Sequence, residues 1–226
     1  MPRVSRAQTE ANHRAIEAAA SRLFRERGLH GVSVADVMAD CGLTHGGFYA
    51  HYASKDALAA SACAAAFADA DAMWRLRAAA ATSPDAARRA IASGYLEPAN
   101  CDPAVAACPT ATLVTDVARE PRSHPIHATY RDGVSRQIDL LAALGTSGDP
   151  NRDRAAACVQ LATMMGALLL ARATRGEALA EEILAAARAD LAGDPAAAAE
   201  PAPAPPPAPL PLRHGRRRGL PKDSAP

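Results

Sequence analysis

The stretch GLTHGGFYAHYASKDAL, residues 42–58, gathers two imidazoles (His45, His51), a phenol (Tyr49), a hydroxyl (Thr44), an ammonium (Lys55) and the adjacent Gly46 and Gly47. These are hydrogen-bond donors and a cation, the set that meets phosphate oxygens and base edges rather than one that breaks bonds. In a free protein two of these features are unfavourable. Adjacent glycines in a short helix cost about 2 kcal/mol relative to alanine. Lys55 places a cation at the positive end of the following helix. Both become favourable beside a polyanion. Glycines without Cβ let main chain approach where a side chain would collide, and helix N–H groups, dipole and ammonium then converge on one phosphate.

Other chemistries are poorly represented. There is no Gly-x-Ser-x-Gly, Walker loop or His-Glu-x-x-His, and GTSGDP (145–150) is too short to cradle a phosphate. The five cysteines, Cys41, Cys63, Cys101, Cys108 and Cys158, are odd in number and scattered, which argues against a disulfide framework. Six residues separate Cys101 from Cys108 and two separate His124 from His127, which fits no common zinc spacing. No metal and no cofactor is therefore expected.

The donor-rich stretch needs elements to hold it. Ile16, Ala20, Leu23 and Phe24 lie on one stripe of a 3.6-residue period, predicting a helix over 9–27 that Gly28 ends. Ser33-Val34-Ala35-Asp36 matches the Ser-x-x-Asp capping signature, opening a short helix with Val34, Val37, Met38 and Cys41 inward. Gly42 stops it. Thr44 is placed to cap a third helix with Phe48 and Tyr52 on its inner face, and Ser54 caps a long fourth helix to about residue 81. Three short helices with a glycine-containing turn between the second and third spell helix-turn-helix.

The pattern stays helical beyond it. Ser83-Pro84 opens another helix, and Pro98, Pro103, Pro109, Pro121 and Pro125 break the middle into short pieces. Helices follow over 123–144, with Ile126, Tyr130, Val134, Ile138 and Leu141 on one side, then over 151–174 and 177–191. The 151–174 helix is apolar nearly all round, so more than one of its faces should be buried. Residues 193–226 hold ten of the eighteen prolines and are expected to be disordered. Within them, RHGRRRGLPK reads as a solvated basic tail or a nonspecific DNA tether.

Composition agrees with an all-α chain: 49% of the residues are apolar but only 4% aromatic. The N-terminus shows no signal-peptide h-region, and the most apolar run, residues 161–173, looks too short to span a bilayer. A soluble cytoplasmic protein without membrane contact is expected. Residues 1–56 carry seven Lys and Arg against six Asp and Glu, so any nucleic-acid site has to be local.

At THGGFYAHYASKDAL the chain resembles the TetR family of bacterial regulators, whose pattern here is roughly Thr-x-Gly-x-Phe-Tyr-x-His-Phe-x-Ser-Lys-x-x-Leu. The likeness extends back through SVADVMADCGL to HRAIEAAASRLFRERG, about residues 10–58. One departure is Tyr52, where the family usually has Phe. The resemblance implies a homodimer that binds a palindromic double-stranded DNA operator through an N-terminal helix-turn-helix domain (1–56). A helical C-terminal domain (57–192) would hold a small-molecule effector and the dimer contacts, followed by the tail (193–226). Ser33, Thr44, His45, Gly46, Gly47, Tyr49, His51 and Lys55 match positions that commonly touch DNA in the family. His45 reads a base edge or only the backbone. Repression released by an effector is the family default, with activation or a helical enzyme carrying an accessory DNA-binding domain as alternatives.

The segment GYLEPANCDPAVAACPTATLVTDVARE is similar to the Gly-Cys-rich segment of one TetR subgroup, with Ala107 in place of Gly before Cys108. Pro109 suits the first turn of a helix, which makes Cys108 its N-cap, where dipole and free N–H groups favour a reactive thiolate. Two readings stand: a sensor of electrophiles or oxidants with Cys101 as resolving partner, or quiet packing, since no Lys or Arg lies within ten residues of Cys108. Tyr95, His124, His127 and Tyr130 are the other effector-site candidates. Dimerisation is expected through 151–174 together with 123–144, because a lone chain offers no evident second surface for Val159, Leu161, Leu168 and Leu169.

Overall fold

Short polar caps punctuate the chain. Ser5 Oγ accepts the Gln8 N–H at 3.2 Å and opens α1, Arg6–Arg27, one turn earlier than the apolar periodicity indicates. Ser33 opens α2, Val34–Asp40, and Ser54 opens α3, Lys55–Ala79, by accepting the Ala57 N–H at 3.1 Å. Ser83 opens α4, Pro84–Tyr95, with its Oγ 3.1 Å from the Ala86 nitrogen. Two short helices, α5 (Pro109–Thr112) and α6 (Val114–Arg119), lead to α7 (Ile126–Ala142). Asp149 caps α8, Pro150–Ala173, and α9 spans Ala178–Ala192. This computed structural model describes residues 5–102, 105 and 108–193, with no strand among them. Pro103, Ala107 and the tail from 194 onward, including the basic 213–222 segment, lie outside the described residues.

Two apolar cores are threaded on α3. The first joins Ile16, Leu23 and Phe24 of α1 to Val37, Met38, Phe48 and, from α3, Leu58, Ala62 and Phe67. Leu113, Val117 and Ile126 from α5–α7 complete it. The second gathers Trp74, at the far end of α3, with Ile91, Leu96, Leu141, Leu161, Met164, Leu168 and Leu184. A domain division at 56/57 therefore falls at the start of a helix that both cores share.

α8 differs in two ways from its sequence reading. Its 24 residues make it long and apolar enough to cross a membrane, yet Ala157, Gln160, Leu161, Met164, Ala167 and Leu168 face the interior against α7 and α9. Leu161 and Leu168 thus find partners within one chain, whereas Val159 (66% exposed) and Leu170 (58% exposed) do not. The apolar side of α7 is also used internally: Ile126 and Leu141 are buried, and Val134 and Ile138 pack against the cores.

α3 and α7 cross closely enough that Gly133 has a steric function. A Cβ there would lie 2.4 Å from the Phe67 ring, which also meets Tyr130 edge-on at 5.6 Å between centroids. Alanine is the better helix former by about 1 kcal/mol, but overpacking a tight core costs about 1–3 kcal/mol, and the clash should dominate. Gly133→Ala is expected to lower the thermal midpoint by about 2–4 °C for each net kcal/mol lost. Pairing it with Phe67→Leu should recover part of that loss. A melting curve unchanged by Gly133→Ala would show that the crossing is looser than described.

Candidate nucleic-acid interface

α2 ends in a tight turn that launches the next element. Gly42 takes φ +67°, and the Leu43 N–H donates back to Met38 O at 2.9 Å. His45–Ala50 then winds as a 3₁₀ helix, where the sequence reading expects an ordinary short helix. Its turns close i to i+3, with the Gly47 N–H donating to Thr44 O and the His51 N–H to Phe48 O, both at 2.9 Å. Two adjacent glycines weaken α-helical preference, and a six-residue segment is within reach of the tighter helix. Phe48 is wholly buried and pins this helix to the first core.

The polar side faces outward. Thr44, His45 and Gly46 are exposed, and Tyr49 is 67% exposed with its ring edge-on to Phe48. Thr44 precedes the helix but makes no side-chain capping bond, so its hydroxyl is not committed to the backbone. A Cβ on Gly46 would meet nothing within 4 Å, and one on Gly47 would make only ordinary contacts of 3.7 Å and 3.8 Å. Neither glycine is required by packing within the chain. His51 is half-buried, with its ring 6.1 Å from that of His13.

Lys55 is the first residue of α3 and forms no hydrogen bond or ion pair among the described residues. Ser33, by contrast, is committed. Its hydroxyl accepts the Asp36 N–H at 3.1 Å while its own N–H donates to Asp36 Oδ2 at 2.8 Å, closing a reciprocal capping box, and the hydroxyl also donates to Asp36 Oδ2 at 2.6 Å. These bonds hold the Asp36 carboxyl below the usual carboxylate range. Tyr52, the departure from Phe, has a partner that spacing alone could not reveal: its hydroxyl lies 3.2 Å from His13 Nε2, and the two rings stack at 4.7 Å.

A junction couples this surface to the later helices. Gly28 ends α1 at φ +77°, and the Leu29 N–H that follows donates to Asp116 Oδ2 on α6 at 2.8 Å. His30 Nε2 lies 2.7 Å from Glu120, just beyond α6, and His124 Nε2 lies 3.4 Å from Asp56 at the start of α3.

The six effector candidates do not form one cluster. Tyr95 and Cys108 line a common cavity, together with Arg25 of α1. His124 and His127 belong to the junction, with His124 Nδ1 accepting the Ile126 N–H at 3.2 Å and His127 Nε2 lying 3.0 Å from Glu120 O. Tyr130 donates to Thr110 O at 2.6 Å. Cys101 is buried in the second core, where burial pushes its thiol up. Cys108 is the N-cap residue of α5, as its place before Pro109 indicates, but its sulfur makes no capping bond. Its sulfur lies 3.5 Å from Thr110 Oγ1 and accepts from Gln137 Nε2 at 3.4 Å, and the helix has only four residues. The dipole argument for a thiolate is correspondingly weak. Sequence also hides a cation. Arg25, far away in the chain, brings its charge to the surroundings of Cys108.

Comparison with known proteins accords with this geometry. Residues 16–62 match the family model described as bacterial regulatory proteins, tetR family. No curated protein sequence matches the chain. Among solved structures, a TetR transcriptional regulator from Chloroflexus aurantiacus J-10-FL superposes with a TM-score of 0.68 at 23% identity, covering 83% of this chain and 95% of that one. SCO4454 from Streptomyces coelicolor, a TetR-family transcriptional regulator, gives 0.67 at 20% identity, with 81% and 96% covered. The reduced form of Escherichia coli NemR gives 0.63 at 20% identity, with 78% and 95% covered. These likenesses establish the fold along the chain, and the match to the tetR family model over residues 16–62 covers the helix-turn-helix segment.

Proposed function

We propose that the chain is a repressor that acts as a homodimer in the bacterial cytoplasm. It binds an inverted-repeat operator with the His45–Ala50 helix of each copy in the major groove, and a small molecule held by the later helices releases it. The observation that carries this reading is the surface around Gly46 and Gly47. Two glycines without a packing role adjoin an exposed Tyr49 and an unpaired Lys55. Thr44, His45 and Tyr49 supply side-chain donors. Lys55 and the N-terminus of α3 supply a phosphate seat. Ser33 contributes by holding α2 rather than by offering its hydroxyl.

The dimer face in this reading is α8. Cys158, Val159, Ala162 and Leu170 are exposed on it, at spacings that place them along one side. Gly166 lies on the same strip, with open space where a Cβ would stand. A second copy of the strip would bury this surface, and the small residues allow close helix approach. The dispersal of Cys101, Cys108, His124 and His127 supports a binding role over a catalytic one, because no nucleophile–base pair forms among them.

Four measurements test the reading. Selection from a random duplex pool followed by footprinting should yield inverted repeats with half-sites about 34 Å apart along the helix axis. Failure to enrich any sequence would overturn operator recognition. Gly47→Ala should leave the melting temperature unchanged or higher yet weaken binding to the selected duplex, and normal binding would refute the close-approach account. Lys55→Ala should weaken specific and nonspecific duplexes alike and reduce the log–log salt slope by about one per copy. Light scattering at micromolar concentration should give the mass of two chains. A mass of one chain would rule out the α8 interface, and Val159→Glu should dissociate the dimer.

A further inference from the structure

A cavity of about 270 Å³ lies between the C-terminal turns of α1, the second half of α3 and the end of α4. Trp74, Met73 and Leu168 give it apolar walls, while Arg77 and Tyr95 give it donors. The Tyr95 hydroxyl belongs to a side chain only 3% exposed, and beyond the Cys108 thiol it meets no hydrogen-bond partner among the described residues. Its neighbour is the Cys108 thiol. A thiol is a weak acceptor, so a buried hydroxyl with no other partner at a cavity wall can still donate to a stronger one. Burial holds the hydroxyl far above the ordinary tyrosine value, so it remains a proton donor across the neutral range.

Arg77 presents the complementary charge. It forms no hydrogen bond or ion pair among the described residues. Its guanidinium occupies the place of a missing side chain: a Cβ on Gly94 would lie 2.4 Å from Arg77 Cζ. Glycine is disfavoured inside a helix such as α4, and here it opens the seat for the guanidinium. The remaining charged lining residues restrict the ligand further. Asp69 and Glu97 are exposed at the solvent side of the cavity, and they repel dianions. Arg25 reaches the cavity from the last turns of α1.

We propose that this cavity is the effector site and that it takes a small aromatic monocarboxylate, with the carboxylate on Arg77 and Tyr95 and the ring against Trp74, Met73 and Leu168. The proposal rests on the regulatory reading above and supplies its ligand class. The volume lies at the lower end of ligand pockets, commonly about 300–1,000 Å³, which favours a single ring. A planar guanidinium with a neutral hydroxyl donor matches one carboxylate, and a net single charge satisfies the acidic outer wall. Occupancy would act on the DNA-binding surface through Arg25, which stands one turn before Gly28 on α1.

Trp74 is the only tryptophan of the chain, so its fluorescence reports on this wall directly. The full-length protein is titrated with sodium benzoate, and with benzamide and phthalate as neutral and dianionic controls. Benzoate should change the Trp74 emission saturably, with the two controls at least about tenfold weaker. Tyr95→Phe and Arg77→Gln should each weaken benzoate about five- to tenfold, and Arg77→Lys should recover part of the loss. Absence of a saturable benzoate signal, an equal response to benzamide, or unchanged affinity in Tyr95→Phe would overturn the proposal. Tyr95→Phe preserves the ring and decides the matter even if Arg77→Gln does not fold. In parallel, benzoate should lower the affinity of the wild type for its selected duplex and leave that of Tyr95→Phe nearly unaltered. Benzoate bound with duplex affinity unchanged would overturn the effector role. A chain that selects no duplex would instead sink the regulatory reading, with the Trp74 titration still deciding the cavity.

Discussion

The Asp116 carboxylate at the Leu29 N–H is the contact on which the arrangement of the two cores depends. α1 can stop at Arg27 only because Gly28 adopts a positive φ, and the turn aims the next N–H at α6. Asp116 Oδ2 lies 2.7 Å from where a Cβ on residue 28 would stand, so glycine is required both for its backbone angle and for the space the carboxylate fills. Leu29 is buried, and its N–H without this acceptor would cost about 1–3 kcal/mol. The contact fixes where α6 sits on the N-terminal helices. Glu120 beside His30 makes a second tie at the end of the same helix.

In the proposed regulation, the same junction would set how a ligand is felt at DNA. α6 continues from α5, which begins beside Cys108 at the cavity wall, while Arg25 enters that cavity from α1. A rigid helix carries the connection onward. His13, near the other end of α1, holds Tyr52, which immediately follows the turn that ends the His45–Ala50 helix. Any ligand that binds one arrangement of Arg25 and Cys108 better than another shifts the balance between positions of α1 relative to α6, by the differential affinity and no more. No separate lever is needed, because the helix that touches the cavity also packs, through His13 and Tyr52, against the end of the His45–Ala50 helix.

Local chemistry made much of this legible before the fold was known. Ser33, Ser54, Ser83 and Asp149 act within three residues of themselves, and each opens the helix its position indicates. The glycine pair and Lys55 were conspicuous because they contradict helix propensity, and the structure gives them no internal role. What sequence could not supply were contacts closed over long separations. Arg25 with Cys108, Arg77 on Gly94 and Tyr52 with His13 join residues that share no period, so nothing in their spacing marks them. The 3₁₀ form of His45–Ala50 was hidden for a different reason, since Phe48 and Tyr52 at a spacing of four fit an α-helical stripe equally well. On α8, apolar residues all round indicated two covered faces but not which residues lie on each. Packing against α7 and α9 takes Leu161 and Leu168 and leaves Val159 and Leu170 outside.

Charge then explains why geometry has to carry recognition. The first 56 residues hold nearly equal numbers of cations and anions, and two of the cations are already paired: Arg22 with Glu26 and Asp40, and Arg6 with Glu10. Such a surface releases few counterions, so nonspecific attraction to DNA is weak. Specific affinity must come instead from backbone and short side chains brought close to the groove, where small displacements matter most. In the proposed homodimer, two weakly charged copies would gain by binding together, since the second contact is made at the high effective concentration that the first creates. That gain exists only while the spacing of the two reading helices matches the repeat of the duplex. Under the proposed regulation, a chain that relies on few charges would be easily released: a change of a few ångströms at the α1–α6 junction would remove a contact that no long-range electrostatic attraction replaces.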